Sequence, residues 1–273
     1  MRIAQQSALP GFAPTFAVTL LWLSLIVLIP LAALALRPWE LGILGVWQSV
    51  TEPRVLAALR LSFGTAAFAA AVNVPFGLLI AWVMVRYRFY GRSLADSLID
   101  MPLALPTAVA GISLTALFAP KDWIGALLTP LGIKVAYTPL GILVALIFVG
   151  LPFVVRTLEP IIMDLPLEAE EVAATLGATR AQIILRIVLP ALLPALLAGF
   201  GAALARGVGE YGSVIFIAGN MPMISEIAPL LIVIRLEQLD YAGAAALGLV
   251  MLLASFIILL LLNLLQRRMT VQA

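Results

Sequence analysis

Residues 241–266 read YAGAAALGLVMLLASFIILLLLNLLQ and contain no aspartate, glutamate, lysine or arginine. A helix that crosses the hydrocarbon core of a membrane needs about 20 mostly apolar residues, so this stretch predicts a membrane-spanning helix. Five further runs without charged residues approach or exceed that length: 3–36, 61–85, 101–120, 135–155 and 187–205. The sequence therefore predicts an all-α, polytopic membrane protein with six transmembrane helices.

The composition of the chain agrees with a membrane protein and excludes other classes. Of 273 residues, 63% are hydrophobic and 11% are charged, whereas soluble domains contain about 45–50% apolar and about 25% charged residues. The chain contains no histidine and no cysteine. This excludes catalysis by histidine or by a cysteine nucleophile, disulfides and ordinary zinc sites. The net charge of +2 does not suggest a nucleic-acid partner.

A weaker pair of apolar runs, 211–225 and 227–234, is split by Glu226. We interpret it as the end of the fifth helix, a turn and a short helix at the membrane surface, with a seventh span as the alternative. The positive-inside rule favours cytoplasmic termini, because nine basic residues then lie inside and six outside. The sequence Ala33-Leu34-Ala35 resembles a signal cleavage site, but the first run is far longer than the apolar core of a signal peptide. An uncleaved helix is therefore favoured.

The longest polar segment that this topology places inside lies at about 156–186. Pro166 suits the first turn of a helix, and three glutamates follow near its positive end. Gly177 suits the position just past a helix C-terminus, and Thr179 with Gln182 forms a capping-box pattern for a second helix. The segment therefore predicts two short helices with a bend at Gly177, followed by a span that begins near Pro190.

An amphipathic segment on anionic lipid would carry lysine or arginine on its polar face. This segment opens with glutamates, so a helix that docks into a groove on a protein partner is favoured over lipid binding. The chain also contains no G-x-x-x-x-G-K-[ST] sequence for cradling nucleotide phosphates. If a membrane protein of this kind uses ATP to move a solute, the ATPase is therefore another chain. An ion-coupled secondary transporter is the competing class, although it usually needs intramembrane ionisable groups.

The one plausible deep ionic pair is Arg206 with Glu210, at a spacing that allows pairing on one helical face. Two interpretations stay open: a salt bridge that fixes a turn, or a lining of an anion path or gate. Gly209 weakens the helix at this point. Pro102 and Pro106 remove amide donors within the third run, where they either shape a central cavity or reflect ordinary packing.

The polar segment also carries a long motif. Glu171-Val172-Ala173 is followed by three residues and Gly177, and nine further residues lead to Ile187-Val188-Leu189-Pro190. This pattern resembles the E-A-A, G and I-x-L-P loop of the ATP-binding-cassette (ABC) importer permeases, with Val172 where the pattern has alanine. The resemblance implies that residues of about 168–188 couple to a separate ATPase. The implied coupling residues are Glu168, Glu170, Glu171, Val172, Ala173, Ala174, Leu176, Gly177, Thr179 and Arg180.

Two further stretches, MPLALPTAVAG at 101–111 and ARGVGEYGSVIFIAGN at 205–220, look like the sulfate and molybdate branch of these permeases. The T-subunit family of sulfate/thiosulfate importers is also resembled by RYRF at 86–89 with Gly91-Arg92, by PFVVRT at 152–157 and by Arg235-Leu236 before Asp240-Tyr241. This similarity covers nearly the whole chain, with the W subunits and the molybdate permeases as neighbours. The tentative path or gate residues are Arg206, Gly209, Glu210, Pro102 and Pro106.

The resemblance implies a type I ABC importer permease fold: a peripheral helix and periplasmic loop at 1–54, a core at 55–266 and a cytoplasmic tail at 267–273. The implied partners are two ATPase copies that bind ATP and Mg, a homologous second permease, a periplasmic sulfate/thiosulfate-binding protein and membrane lipid. The chain itself is expected to bind no cofactor or metal and to be no enzyme. A molybdate or tungstate permease is the alternative within the family.

Overall fold

The computed structural model describes residues 12–272, and within them the chain is helical without strands. A π-helical turn at Ser24–Leu28, a 3₁₀ turn at Arg37–Leu41 and a second π-helical turn at Ile184–Val188 join some of the helices. The helices are α1 (Phe12–Leu23), α2 (Ile29–Leu36), α3 (Gly42–Thr51), α4 (Pro53–Arg86), α5 (Arg92–Ala104), α6 (Thr107–Phe118), α7 (Trp123–Leu128), α8 (Pro139–Asp164), α9 (Leu167–Thr175), α10 (Arg180–Ile183), α11 (Leu189–Val208), α12 (Val214–Ile217), α13 (Ala228–Glu237) and α14 (Tyr241–Gln272).

Long apolar helical stretches in the described part of the chain confirm a polytopic membrane protein. Five are long and apolar enough to cross a membrane: Pro14–Thr51, Pro53–Arg86, Pro139–Asp164, Arg180–Val208 and Tyr241–Met269. They overlap the corresponding predicted runs over most of their length, although the span that begins at Pro139 leaves out residues 135–138. Residues 3–11 of the first run lie outside the described residues. A sixth span is present if α5 and the helical segment that begins at Thr107 are counted as one.

The third predicted run, 101–120, is divided by a break between α5 and α6. α5 and the segment after it are bent by 109°. Leu105 between them is extended, with φ −75° and ψ 136°, and Pro106 precedes the first residue of α6. Proline disfavours the helical conformation of the preceding residue and has no amide to donate. Pro102 alone does not break the helix, since α5 continues past it to Ala104.

The core lies where α4, α8 and α11 cross, and small residues let these helices approach closely. A Cβ atom added at Gly77 of α4 would lie 2.9 Å from Cβ of Val154 in α8, and one added at Gly207 of α11 would lie 3.2 Å from Cβ of Ala66 in α4. Membrane helices gain little from burying apolar surface against one another, so close van der Waals contact between small residues carries their association.

The N-terminal helices lie at the periphery. α1 and α2 are exposed within the chain, and α2 and α3 contact α14. Arg235 of α13 donates to the carbonyl and the hydroxyl of Ser49 in α3, which fixes the end of this region against the core.

The predicted short helix after the fifth span is confirmed as α13. It packs against α4 and α14 and buries Ala228, Leu230 and Leu231. Its first amide, of Ala228, donates to the Oγ of Ser62 in α4 at 2.9 Å. Ten residues are too few to span a bilayer.

Candidate functional site

The segment from Leu165 to Thr179, here called the coupling loop, holds one short exposed helix, α9. Pro166 stands directly before the first helical residue, and Glu168 and Glu170 occupy the first turn, where they interact favourably with the helix dipole. Gly177 adopts φ +84°, and its amide donates to the carbonyl of Ala174. Glycine enters this left-handed conformation without the penalty that a side chain brings, so the predicted bend is confirmed.

The second predicted short helix is not a separate element, because α10 continues through the π-helical turn at Ile184–Val188 into α11. The predicted capping box is present: Thr179 Oγ1 accepts from the amide of Gln182, and Gln182 Oε1 accepts from the amide of Thr179. The fifth span thus begins near Arg180 and not near Pro190 as predicted. Pro190 has no amide for an α-helical bond, and the wider π turn directly before it keeps the helix continuous.

One face of the coupling loop projects from the protein. Val172 is 58% exposed and Leu176 is 82% exposed, with the exposed carboxylates of Glu168 and Glu171 beside them in sequence. Of the other predicted coupling residues, Ala173 is half-buried and Ala174, Gly177, Thr179 and Arg180 are exposed. This face combines apolar side chains with acidic ones and has no partner within the described chain.

Glu170 points the other way, toward the bundle. Its Oε1 accepts from Nη2 of Arg86, the last residue of α4, at 2.8 Å, and both side chains are mostly shielded from solvent. The guanidinium of Arg86 also lies 5.0 Å from the ring centroid of Trp82. This contact was not predicted from the sequence, since 84 residues separate the two partners and neither local spacing nor periodicity connects them.

The second candidate site is the turn after α11. The predicted pair is present: Arg206 Nη1 lies 2.5 Å from Glu210 Oε2. Glu210 stands just beyond the helix end, and its Oε1 also accepts from the amide and the hydroxyl of Ser213, each at 2.9 Å. The carboxylate is buried, with 1% of the side chain exposed, whereas 31% of the Arg206 side chain is exposed. Gly209 is exposed at the turn.

The start of α6 packs directly against this turn. A Cβ atom at Gly111 would lie 2.8 Å from Cα of Ser213, and one at Gly212 would lie 2.9 Å from Cβ of Thr107. The structure thus brings the 101–111 and 205–220 stretches together. Pro106 lies at the break beside this contact, and Pro102 lies within α5 on the other side of the bend. The two stretches meet at Gly111, which lies against the backbone of Ser213, and at Gly212, which lies against the side chain of Thr107.

Five or six membrane-crossing helices with an exposed helical loop define a polytopic membrane protein. Residues 73–271 match the family described as binding-protein-dependent transport system inner membrane component, and the chain belongs to this family. It is a multi-pass transport subunit rather than an enzyme.

Curated relatives cover almost the whole chain. It is 47% identical over 248 residues, 91% of this chain and 89% of the relative, to the sulfate transport system permease protein CysT of Synechococcus elongatus. It is 45% identical over 266 residues, 97% of this chain and 96% of the relative, to the protein of the same name from Escherichia coli K12.

Solved structures confirm the fold. A chain in the crystal structure of a bacterial alginate ABC transporter, in complex with an alginate pentasaccharide-bound periplasmic protein, superposes with a TM-score of 0.76 at 18% identity and covers 94% of each chain. A chain of an inward-facing methionine ABC transporter gives a TM-score of 0.51 at 19% identity, with 84% of this chain and 94% of that chain covered. The predicted type I ABC importer permease fold is therefore confirmed.

Proposed function

We propose that the chain is the permease subunit of an ATP-driven importer for sulfate and thiosulfate. The observation that carries the substrate is the identity of 45–47% to sulfate transport system permeases over more than nine-tenths of the chain. The alignment with the Escherichia coli relative covers 97% of the chain, so it leaves little of the chain unmatched.

The exposed face of the coupling loop is the site where an ATPase subunit docks. Val172 and Leu176 offer apolar contact area, and Glu168 and Glu171 complement a basic rim on the partner. The ATPase partner is present in two copies, and ATP and Mg bind to it. The remaining partners are a homologous second permease and a periplasmic sulfate/thiosulfate-binding protein.

The coupling loop and both termini lie on the cytoplasmic side. In support, the loop packs on Arg86, and Arg88 and Arg92 follow within the same short connection to α5, as the positive-inside rule favours. Residues 1–54 form a peripheral region on a core of 55–266, and 267–273 form the cytoplasmic tail; in support, the helices from Ile29 to Thr51 lie against α14 at the edge of the bundle. Residues 1–11 and 273 lie outside the described residues.

The turn after α11 forms part of the anion path. Glu210, saturated by Arg206 and Ser213, holds the turn against α6. The Arg206 side chain, which is 31% exposed, faces the path together with the exposed Gly209. Arginine donors and backbone amides suit a sulfate ion.

Labelled sulfate uptake tests the proposal. Cells that lack the chain are compared before and after its return, with unlabelled thiosulfate or molybdate as competitor. We expect uptake to be lost, to be restored by the wild type, and to be blocked by thiosulfate but little by molybdate. The Gly64→Ala variant serves as a control, because nothing lies within 4 Å of the added Cβ. Normal sulfate uptake in the deletion, with molybdate uptake lost, would move the substrate to the molybdate branch.

A further inference from the structure

An ionic cluster lies between α5 and α8, outside both sites described above. It consists of Arg156 and Glu159 on α8 and Asp96 and Asp100 on α5, here called the Arg156 cluster. Arg156 Nε and Nη2 donate to the two carboxylate oxygens of Asp100 at 2.9 and 2.6 Å. Its Nη1 lies 2.8 Å from Asp96 Oδ1 and 2.7 Å from Glu159 Oε2. One guanidinium thus serves three carboxylates.

These ion pairs tie α5 to α8, and the half-buried side chain of Ile99 packs against the core. α5 contains no fully buried residue. Four of its apolar side chains are exposed: Leu94, Leu98, Met101 and Leu103. A cleft of about 550 Å³ opens beside the cluster. Its lining includes Asp96, Arg156 and Glu159 of the cluster together with Met84 and Met163. Water therefore reaches the cluster, and few apolar contacts have to be broken when α5 moves.

The cluster contains three carboxylates and one guanidinium. Arg156 therefore still has a carboxylate partner on its own helix when the two aspartates of α5 move away. Glu159 is its partner within α8, three residues away, and only 12% of the Glu159 side chain is exposed. Asp96 and Asp100 are about half exposed. When α5 leaves, Arg156 keeps Glu159 and the two aspartates become hydrated, so no buried charge is left unpaired.

The position of α5 connects both candidate sites. Its first residue, Arg92, follows closely after Arg86, which holds Glu170 of the coupling loop. α8 ends at Asp164, immediately before that loop. At its other end α5 meets the break at Pro106, where α6 packs on the Glu210 turn. α5 thus provides a continuous structural connection between the coupling loop and the Glu210 turn.

We propose that Arg156 is an ion-pair switch that couples the ATPase to the path. In one state it holds α5 through Asp96 and Asp100, and in the other it releases α5 and pairs with Glu159 alone. The proposal rests on the proposed function of the chain as an importer permease. It makes Arg156 and Glu159 positioning residues for transport, without contact to the transported anion.

The test uses the complete transporter, with its ATPase, in lipid vesicles. Spin labels are placed at Leu98→Cys and Ile161→Cys, two exposed positions on α5 and α8, in a chain without native cysteine. We expect the label distance to occupy two populations whose ratio changes between the ATP-free state and the vanadate-trapped state. Sulfate uptake per ATP hydrolysed is measured in the same vesicles.

The variants shift the switch in opposite directions. Asp96→Asn with Asp100→Asn weakens the hold on α5: the long-distance population grows and uptake per ATP falls about threefold or more, while ATP hydrolysis without substrate rises. Glu159→Gln removes the partner that Arg156 needs after release, so the short-distance population grows and uptake and hydrolysis fall together. Glu40→Gln, which removes the exposed Arg37–Glu40 pair, is the matched control and leaves all three quantities unchanged.

The proposal would be wrong if the two labels showed a single distance that changed neither with nucleotide nor in either variant. It would also be wrong if both variants shifted the populations in the same direction. Loss of sulfate uptake in the unlabelled wild type would instead contradict the proposed function, because the distance measurement does not depend on which anion is carried. A purely structural role for the cluster predicts lower thermal stability with an unchanged ratio of uptake to hydrolysis.

Discussion

Arg86, at the end of the second span, donates a hydrogen bond of 2.8 Å to Glu170 in the exposed helix of the coupling loop. The two side chains are 14% and 22% exposed. A shielded ion pair of this kind resists screening by salt better than an exposed one. The loop is thus attached to the bundle by an ionic contact as well as by the chain at its two ends.

Glu170→Gln is expected to weaken the association of the permease with its ATPase. The substitution removes about 1–2 kcal/mol of charge-assisted hydrogen bonding, which corresponds to about 5–30-fold in affinity if all of it serves to hold α9 in place. Copurification of the ATPase with the tagged permease measures the effect. Glu168→Gln is the control, because it removes a negative charge from an exposed position of the same turn without breaking the ion pair that orients α9. The exchange Arg86→Glu with Glu170→Arg restores an ion pair and should recover part of the lost association.

The effect of replacing Gly177 is expected to depend on how easily the new residue adopts a left-handed backbone conformation, and not on the size of its side chain. Nothing lies within 4 Å of a Cβ atom built at this position, but φ is +84°, and a left-handed residue with a side chain costs about 1–2 kcal/mol. Gly177→Asn should therefore keep more ATPase association than Gly177→Ala, and Gly177→Val should keep least. A ranking by volume, with alanine best, would contradict this account.

Glu171→Lys is expected to abolish ATPase association while leaving membrane insertion intact. The Glu171 side chain is exposed, so the bundle does not depend on it, and the reversed charge repels a basic rim on the partner. Copurification together with the amount of permease in the membrane fraction measures both effects. Normal copurification would remove the exposed face of α9 from the docking site.

The sequence predicted the elements that depend on local patterns. Apolar runs located the spans, and the Thr179–Gln182 spacing and Gly177 located the cap and the bend. The cap and the bend depend on residues within one or two helical turns of each other, and the spans depend on an unbroken apolar run, so both can be read from the local sequence. The pair of Arg206 with Glu210 was predicted for the same reason, since the residues lie four positions apart.

Contacts between distant segments were not predicted. The clusters of Arg86 with Glu170 and of Arg156 with Asp100 join residues that are 84 and 56 positions apart. Their partners are set by how the helices pack, and a charged residue at a span end has many candidate partners. The loss of an amide donor at Pro106 was predicted, but the size of the bend between α5 and α6 was not, because a proline in an apolar run can kink, end or interrupt a helix.

Gly111→Ala is expected to destabilise the permease, whereas Gly64→Ala should be neutral or slightly stabilising. The methyl group at Gly111 meets backbone atoms of Ser213, with Cα at 2.8 Å, and backbone cannot move aside as a flexible side chain can. Overpacking of this kind costs about 1–3 kcal/mol. At Gly64 the added group meets nothing within 4 Å, and alanine favours the helix over glycine. Size-exclusion chromatography after stepwise heating in detergent compares the two variants, and equal melting would contradict close packing at the α6 contact.

Arg206 and Glu210 should respond unequally to the loss of their partner. Arg206→Gln leaves a carboxylate that is 1% exposed without a counter-ion, whereas Glu210→Gln leaves a guanidinium that is 31% exposed and open to water. Removing one partner of a buried pair costs about 3–5 kcal/mol, while the amide oxygen that Glu210→Gln introduces can still accept from Ser213. Arg206→Gln should therefore lower the melting temperature more than Glu210→Gln, and the double variant should recover much of the stability that Arg206→Gln loses.

Sulfate uptake by the double variant then distinguishes the two roles of the pair. If Arg206 serves only to fix the turn, uptake returns together with stability, because two amides at these positions leave no buried charge and keep the Ser213 contacts. If Arg206 also lines the anion path, stability returns and uptake does not, since no amide replaces the positive charge that attracts a doubly charged anion. We expect the second result, because the exposed part of the guanidinium is not needed to hold Glu210. Recovery of uptake to the wild-type rate would remove Arg206 from the path and leave it a structural residue of the turn.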